Sequence, residues 1–221
     1  MIRWKSSLKP AGSAPANDNF EFTVTTTTSS ETFTILCGNF GDTFNATVDW
    51  GDGTSTSTIT AFDDADLAHT YASAGDHDIS ISGIFPNMNF VGNGDVTKIK
   101  SVNNMGSVGM TATYGMLWGA SNLTSFTVGD ADTSLVTSSH HMFRDCSSLT
   151  SLDLSTLDLS NNTDFFNFLK GCTSLTSINL SSFDTSSGTS FAAMFRDCSS
   201  LTSLDLSSFD TSSARQLSSM F

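Results

Sequence analysis

Met142-Phe143-Arg144-Asp145-Cys146-Ser147-Ser148-Leu149-Thr150-Ser151-Leu152-Asp153-Leu154 returns from Met194 to Leu206, and Phe168 to Leu180 is a third copy between them. A worn copy runs from Met116 to Val128. The copies start at 116, 142, 168, 194 and 220, a spacing of 26 residues with no insertion or deletion. Self-similarity at a fixed period in this range is the signature of a stacked repeat architecture. Within each unit, Leu149, Leu152 and Leu154 form Leu-x-x-Leu-x-Leu. Alternation places Leu152 and Leu154 on one face of a short strand, and Ser151 and Asp153 on the other. One unit cannot bury that apolar face alone, whereas stacked units can. Between strands, Phe191, Met194, Phe195 and Cys198 fall at i, i+3, i+4 and i+7, the spacing that predicts the inner face of a short helix.

Each unit therefore reads as strand, loop and helix, with aligned columns. Cys146, Cys172 and Cys198 share one column, and Arg144, Lys170 and Arg196 another. The basic column is expected near the helix C-termini, where cations suit the helix dipole. Asp132, Asp158, Asp184 and Asp210 recur before each helix and are expected to hydrogen-bond the local backbone. These units resemble the BspA-type leucine-rich repeats of bacterial surface proteins, over about residues 116–221. The resemblance is carried by the run from Met194 through Phe195, Cys198, Leu201 and Leu204 to Phe209-Asp210-Thr211-Ser212. It implies a right-handed α/β leucine-rich-repeat solenoid used for attachment, with no catalytic residue to carry over.

Upstream the pattern changes. Residues 1–19 hold Pro10 and Pro15 together with Arg3, Lys5 and Lys9, and read as a flexible arm that anchors the chain to a larger assembly. From Phe20, apolar residues alternate at Phe20, Phe22 and Val24, at Phe33 and Ile35, and at Phe44, Ala46 and Val48, with later strands at Ile59 and Ile79-Ser80-Ile81. Short strands at such spacing predict a β-sandwich. Val48-Asp49-Trp50-Gly51-Asp52-Gly53-Thr54 and His69-Thr70-Tyr71 resemble the polycystic-kidney-disease (PKD) domain, which implies an immunoglobulin-like sandwich over 20–83. Residues 84–115 then serve as connector and N-cap, with Val96-Thr97-Lys98-Ile99-Lys100-Ser101-Val102 as a divergent first strand.

Composition narrows the function. Nine Lys+Arg against 22 Asp+Glu give a net charge of −13, which argues against a nucleic-acid partner because phosphate binding needs clustered cations. Only 14% of residues are charged, so the surface must be built from Ser, Thr, Asn and Asp, as on secreted and virion-exterior β proteins. No apolar run reaches the ~18 residues that span a bilayer. The first ten residues lack the apolar core of a secretory signal. The four cysteines lack zinc-site or disulfide-scaffold spacing and read as buried thiols. His140-His141, His69 and His77 do not form a metal-binding pattern, and only two glutamates exist, Glu21 and Glu31. Asp49, Asp52, Asp63, Asp64 and Asp66 read as turn carboxylates, with Ca²⁺ binding between loops as the sharper alternative. No catalytic residue, metal site or cofactor is expected.

The expected protein is thus a non-enzymatic recognition or adhesion module, extracellular or on a virion surface. The phage exterior (a fibre, spike or decoration protein) is the first setting, and a fragment of a bacterial cell-surface adhesin the alternative. The expected binding face is the outer β-surface of the repeats, Ser151, Asp153, Ser177, Asn179, Ser203 and Asp205, facing a host-surface glycan or protein. Contacts with other virion or surface proteins are expected at Arg3, Lys5 and Lys9 of the arm and at Met220 and Phe221, where a fifth unit begins.

Overall fold

The computed structural model describes residues 18–91, 93–129 and 131–221; Arg3, Lys5 and Lys9 lie outside them. The front strands are β1 (Phe20–Thr26), β2 (Glu31–Thr34), β3 (Asn45–Asp49), β4 (Ser57–Ile59), β5 (Ala68–Tyr71) and β6 (Gly75–Ile84). Next come β7 (Ile99–Asn104) and three very short strands, β8 (Ser125–Phe126), β9 (Ser151–Asp153) and β10 (Ser177–Asn179). Period-two alternation explains the front strands: Phe20, Phe22 and Val24 are fully buried on one face of β1, as are Ile79 and Ile81 on β6. The remaining regular pieces are two 3₁₀ turns, Ala65–Leu67 and Gly94–Lys98, each opened by an Asx cap from Asp64 or Asn93.

Six strands form one sheet in the order β4-β3-β6-β1-β7-β8. Phe22 pairs with Ile79 of β6 on one side and Val102 of β7 on the other. The antiparallel pair β2–β5 packs against this sheet, with the Phe22 and Phe33 rings 6.0 Å apart. Trp50 is locked where the layers meet: its Nε1–H donates to Ser57 Oγ at 3.0 Å, and its carbonyl accepts from the Tyr71 hydroxyl at 3.1 Å. Gly51 has φ +76, and a Cβ there would meet the Asp78 carbonyl oxygen at 2.3 Å. That close approach is why the turn after Trp50 requires glycine. The sheet crosses into the repeats through β7 and β8, and one contiguous core runs from Phe20 to Met220.

The α/β leucine-rich-repeat solenoid expected from the sequence does not form. The described chain is mostly β with no α-helix, and the strands do not build a continuous solenoid sheet. β8 belongs to the six-stranded front sheet, β9 and β10 make a separate parallel pair, and Leu201–Asp205 forms no strand. The backbone explains the missing helices. Each unit carries two left-handed residues: His141 (φ +64) and Asp145 (φ +60), Asn167 (φ +54) and Gly171 (φ +78), Ala193 (φ +53) and Asp197 (φ +62). A right-handed helix cannot pass through such positions. The segment instead becomes a chain of tight turns whose N–H groups alternate between two targets. Met142 and Arg144 donate to carbonyls three residues back, at 3.1 and 3.2 Å, whereas His141, Phe143 and Asp145 donate to Phe166, Phe168 and Lys170 of the next unit at 3.0, 2.9 and 2.7 Å. Repeats are therefore stitched to one another by main-chain bonds where a helix would have kept them internal.

Within this frame the apolar columns stack as rings and thiols. Phe143 and Phe168 meet edge-on at 5.4 Å, and Phe165 stacks on Phe191 at 5.3 Å. The cysteine thiols of Cys146, Cys172 and Cys198 donate to the carbonyls of Leu117, Phe143 and Leu169 at 3.1–3.2 Å. All four cysteines are free.

Candidate functional site

The turn segments that replace the helices place Tyr114, His140 and Phe166 in one column, again 26 residues apart. The left-handed residue that follows each of them, Gly115, His141 or Asn167, bends the chain identically in every unit. Ring centroids separate Phe40 from Tyr114 by 6.4 Å, Tyr114 from His140 by 3.9 Å, His140 from His141 by 5.1 Å and His141 from Phe166 by 5.2 Å. Trp118 lies 4.6 Å from His141 and carries the Arg144 guanidinium over its face at 4.3 Å. Phe40 is 51% exposed and Phe166 38%, so the strip ends in solvent at both rings.

Polar groups flank the strip. His140 Nδ1 is 3.2 Å from Asp164 Oδ2 and 3.0 Å from Ser138 Oγ. Asp42 Oδ2 accepts from Asn87 Nδ2 at 2.9 Å. Two recesses open on either side of His140. One, of about 490 Å³, lies among Phe40, Asp42, Tyr114 and His140. The other, of about 570 Å³, lies among His140, His141, Asp164, Phe166 and Gln216. These volumes fall in the range of small-ligand clefts. Serine, histidine and aspartate meet here, but Ser138 and Asp164 approach the same ring nitrogen. A Ser-His-Asp relay needs the hydroxyl on one nitrogen and the carboxylate on the other, so this arrangement does not activate Ser138.

His141 is nine-tenths buried in the wall of the second recess. Burial, helped by the neighbouring His140 and the Arg144 guanidinium, lowers its pKa to about 4, so the ring is neutral near pH 7. Nε2 lies 3.2 Å from Asn167 Nδ2, while Nδ1 has no hydrogen-bond partner.

The residues singled out from sequence sit elsewhere. Ser151 and Asp153 on β9 face Ser177 and Asn179 on β10 in parallel register, all exposed, while Ser203 and Asp205 lie beyond any strand. Asp153, Asn179 and Asp205 each accept the N–H two residues on, at 2.9, 3.1 and 2.9 Å, so one oxygen of each closes a turn. Asp132, Asp158, Asp184 and Asp210 do the same at 2.8–3.1 Å. In the basic column, Arg144 and Arg196 pair with the neighbouring Asp145 and Asp197 at 3.2 and 3.6 Å; there is no helix end for them to cap. Met220 is buried and Phe221 is 71% exposed.

In the front half, His69 stacks on Trp50 at 5.0 Å and its Nε2 meets Asp52 Oδ2 at 2.8 Å. Burial alone would raise the Asp52 pKa, but hydrogen bonds from Thr54 and His69 outweigh it and hold the carboxyl at about 2. Asp64 closes its own turn by accepting from the Thr60 and Asp66 N–H groups. Among the described residues, no three His, Cys, Asp or Glu side chains converge as a metal site.

Sequence reasoning passed over Phe40, Tyr114, Trp118, Asp164 and Phe166. The signal was present, because Tyr114, His140 and Phe166 occupy one repeat position. Reading that segment as a helix hid which of its residues share an outer face.

Residues 80–179 and 152–221 match the family model described as "Mycoplasma protein of unknown function, DUF285". No curated protein and no solved structure matches the chain. The family match supports a BspA-like surface-protein context, without assigning leucine-rich repeats or a PKD domain. Among the described residues no helix is long and apolar enough to cross a membrane.

Proposed function

As the chain belongs to this family of Mycoplasma proteins of unknown function, DUF285, we propose that it is a non-enzymatic recognition or adhesion protein displayed outside the cell. One observation carries the reading: aromatic side chains collect on the outer face of the repeats in a strip that ends in exposed Phe40 and Phe166. Aromatic residues concentrate where proteins meet partners, since a rigid ring buries much area at small entropic cost. Much of the rest of the exterior is Ser, Thr, Asn and Asp, many already closing turns, with scattered exposed apolar side chains such as Leu135, Leu217 and Phe221.

The Mycoplasma family match, with the surface-protein context it supports, favours a bacterial cell surface as the setting. The exterior of a phage virion, as fibre, spike or decoration protein, is the alternative that the Ser/Thr-rich, weakly charged composition also suits. Partners in either setting are other surface proteins, meeting the exposed apolar side chains Leu217 and Phe221, and a host-surface glycan or protein. The test is antibody labelling of intact cells and of purified particles, combined with attachment of the fluorescently labelled chain to host cells. Labelling without permeabilisation, with saturable attachment, is the expected result. Labelling only after permeabilisation, or no attachment, overturns the proposal.

A further inference from the structure

We infer that the strip from Phe40 through Tyr114 and His140 to Phe166 is a binding cleft for a neutral, extended glycan, an assignment that rests on the surface-recognition reading and gives it a ligand class. A sugar ring is amphipathic, with C–H bonds on one face and hydroxyl groups around its rim. The strip has the complementary form. The apolar platforms Phe40, Tyr114 and Phe166 lie along its axis, and Asp42, Asp164 and Gln216 stand beside them as hydrogen-bonding rim groups. The two recesses share His140 as their common wall, so a chain of sugars can cross from one to the other where a single ring would fill only one.

Charge chooses among extended ligands. A chain of net charge −13 repels sulfated or sialylated polymers. A cationic peptide is also disfavoured, because much of the carboxylates' capacity already goes to local partners, Asp164 to His140 and the Phe166 N–H and Asp42 to Asn87, leaving single acceptor sites that suit a neutral hydroxyl. Arg144 and Lys170 add positive charge close enough to His141 to depress its protonation. The cleft is thus electrostatically balanced, as a neutral polyhydroxyl ligand requires.

A second, independent observation marks the same wall. The His141 ring, nine-tenths buried at the second recess, has a polar Nδ1 with no partner. Leaving such an atom unsatisfied is unfavourable, and native structures keep few of them. A ligand hydroxyl can pair with that nitrogen only if the ring turns toward the recess, so Nδ1 marks the one polar group of this wall still open to a partner, while the backbone at His141 is already fixed at φ +64. The site is then largely built before the ligand arrives.

The experiment uses the whole chain and neutral hexasaccharides of glucose, N-acetylglucosamine, mannose and galactose. Heparin hexasaccharide and oligolysine serve as comparators, and binding is followed by calorimetry and by tryptophan fluorescence, to which Trp118 contributes beside Trp4 and Trp50. Saturable binding to at least one neutral hexasaccharide is expected, weakened about tenfold or more by Phe166→Ala or Tyr114→Ala. The melting temperature of each variant is measured in parallel, and Phe40→Ala, at a half-exposed ring, supplies a variant whose folding is least at risk. Three outcomes overturn the assignment: no neutral sugar binds; binding survives all three substitutions; or only oligolysine or heparin binds. If attachment to host cells persists while every neutral sugar fails, the surface-recognition reading stands and the glycan cleft falls.

Discussion

Lowering the pH from 7 to 4 should destabilise this protein, and above the carboxylate range the loss comes chiefly from His141. Its folded pKa is about 4 against an ordinary value of 6.5, because burial disfavours the charged ring. The unfolded chain therefore takes up a proton first as the pH falls. The contribution of His141 to stability is complete above about pH 6.5, declines between 6.5 and 4, and is gone below 4. A difference of one unit corresponds to ~1.4 kcal/mol, so the full loss is roughly 3 kcal/mol, a sizeable share of the ~5–15 kcal/mol that holds a domain folded. Urea denaturation at pH 7.5, 6.5, 5.5, 4.5 and 4 measures it, with His141→Asn as the reference. Asparagine tolerates the left-handed backbone and does not titrate. The variant starts less stable, because it gives up the contacts with Trp118 and Phe166, yet the gap to the wild type should narrow across this window. Parallel decline of the two proteins would refute the reasoning.

Four further outcomes follow from the same geometry. Gly171→Ala should destabilise by ~1–2 kcal/mol or more, since φ is +78 and a Cβ would meet Asp145 Oδ1 at 2.2 Å, whereas Ala193→Gly, at φ +53, should stabilise by up to ~1 kcal/mol; thermal melts read both. Thiol titration should find four reactive groups in denaturant and slow reaction in the native protein at pH 8, because burial pushes Cys198 up to about 11 and Cys37 to about 12 and raises Cys172 well above its usual range. Asp52→Asn should cost stability at neutral pH, and the difference from wild type should disappear as the pH falls from about 3.8 to about 2, the window set by a depressed carboxyl. Asp205→Ala should lower the melting temperature slightly through loss of the Ser207 turn, so an attachment defect on replacing Asp153, Asn179 and Asp205 together counts as a binding effect only at matched stability.

The period of the repeat was readable because every unit keeps the same length, and the front strands because Phe20, Phe22 and Val24 alternate with polar residues. The helix was misread for a specific reason. Phe191, Met194, Phe195 and Cys198 have helical spacing, but consecutive tight turns with bonds such as Met194 N–H to the Phe191 carbonyl generate nearly the same spacing. The distinguishing sign lay in another column, Gly119, Asp145, Gly171 and Asp197, where glycine alternates with aspartate. Glycine and aspartate are the residues that enter the left-handed region most readily, and a helix would have no use for them there. The pairing that ties the connector to the front sheet was invisible for a different reason: β7 pairs with β1 nearly 80 residues upstream, a partnership that no local pattern reports. The aromatic strip depends on both, since the turns set its column and residues near Phe40 complete it.

The main-chain stitching between repeats also bears on how this surface could change length over generations. The turn segments of each unit give N–H groups to the following unit, and Thr163, Thr176 and Thr189 give theirs back to the preceding one, in a constant register. The coding stretches for Met142–Leu154 and Met194–Leu206 specify the same peptide. Recombination between them removes or adds two whole units, keeps the reading frame, and rejoins a donor edge to an acceptor edge of the same kind. The column of Tyr114, His140 and Phe166 would be shortened or extended with it, so variation in repeat number is a route to altering the reach and the valency of the exposed face without remaking its scaffold.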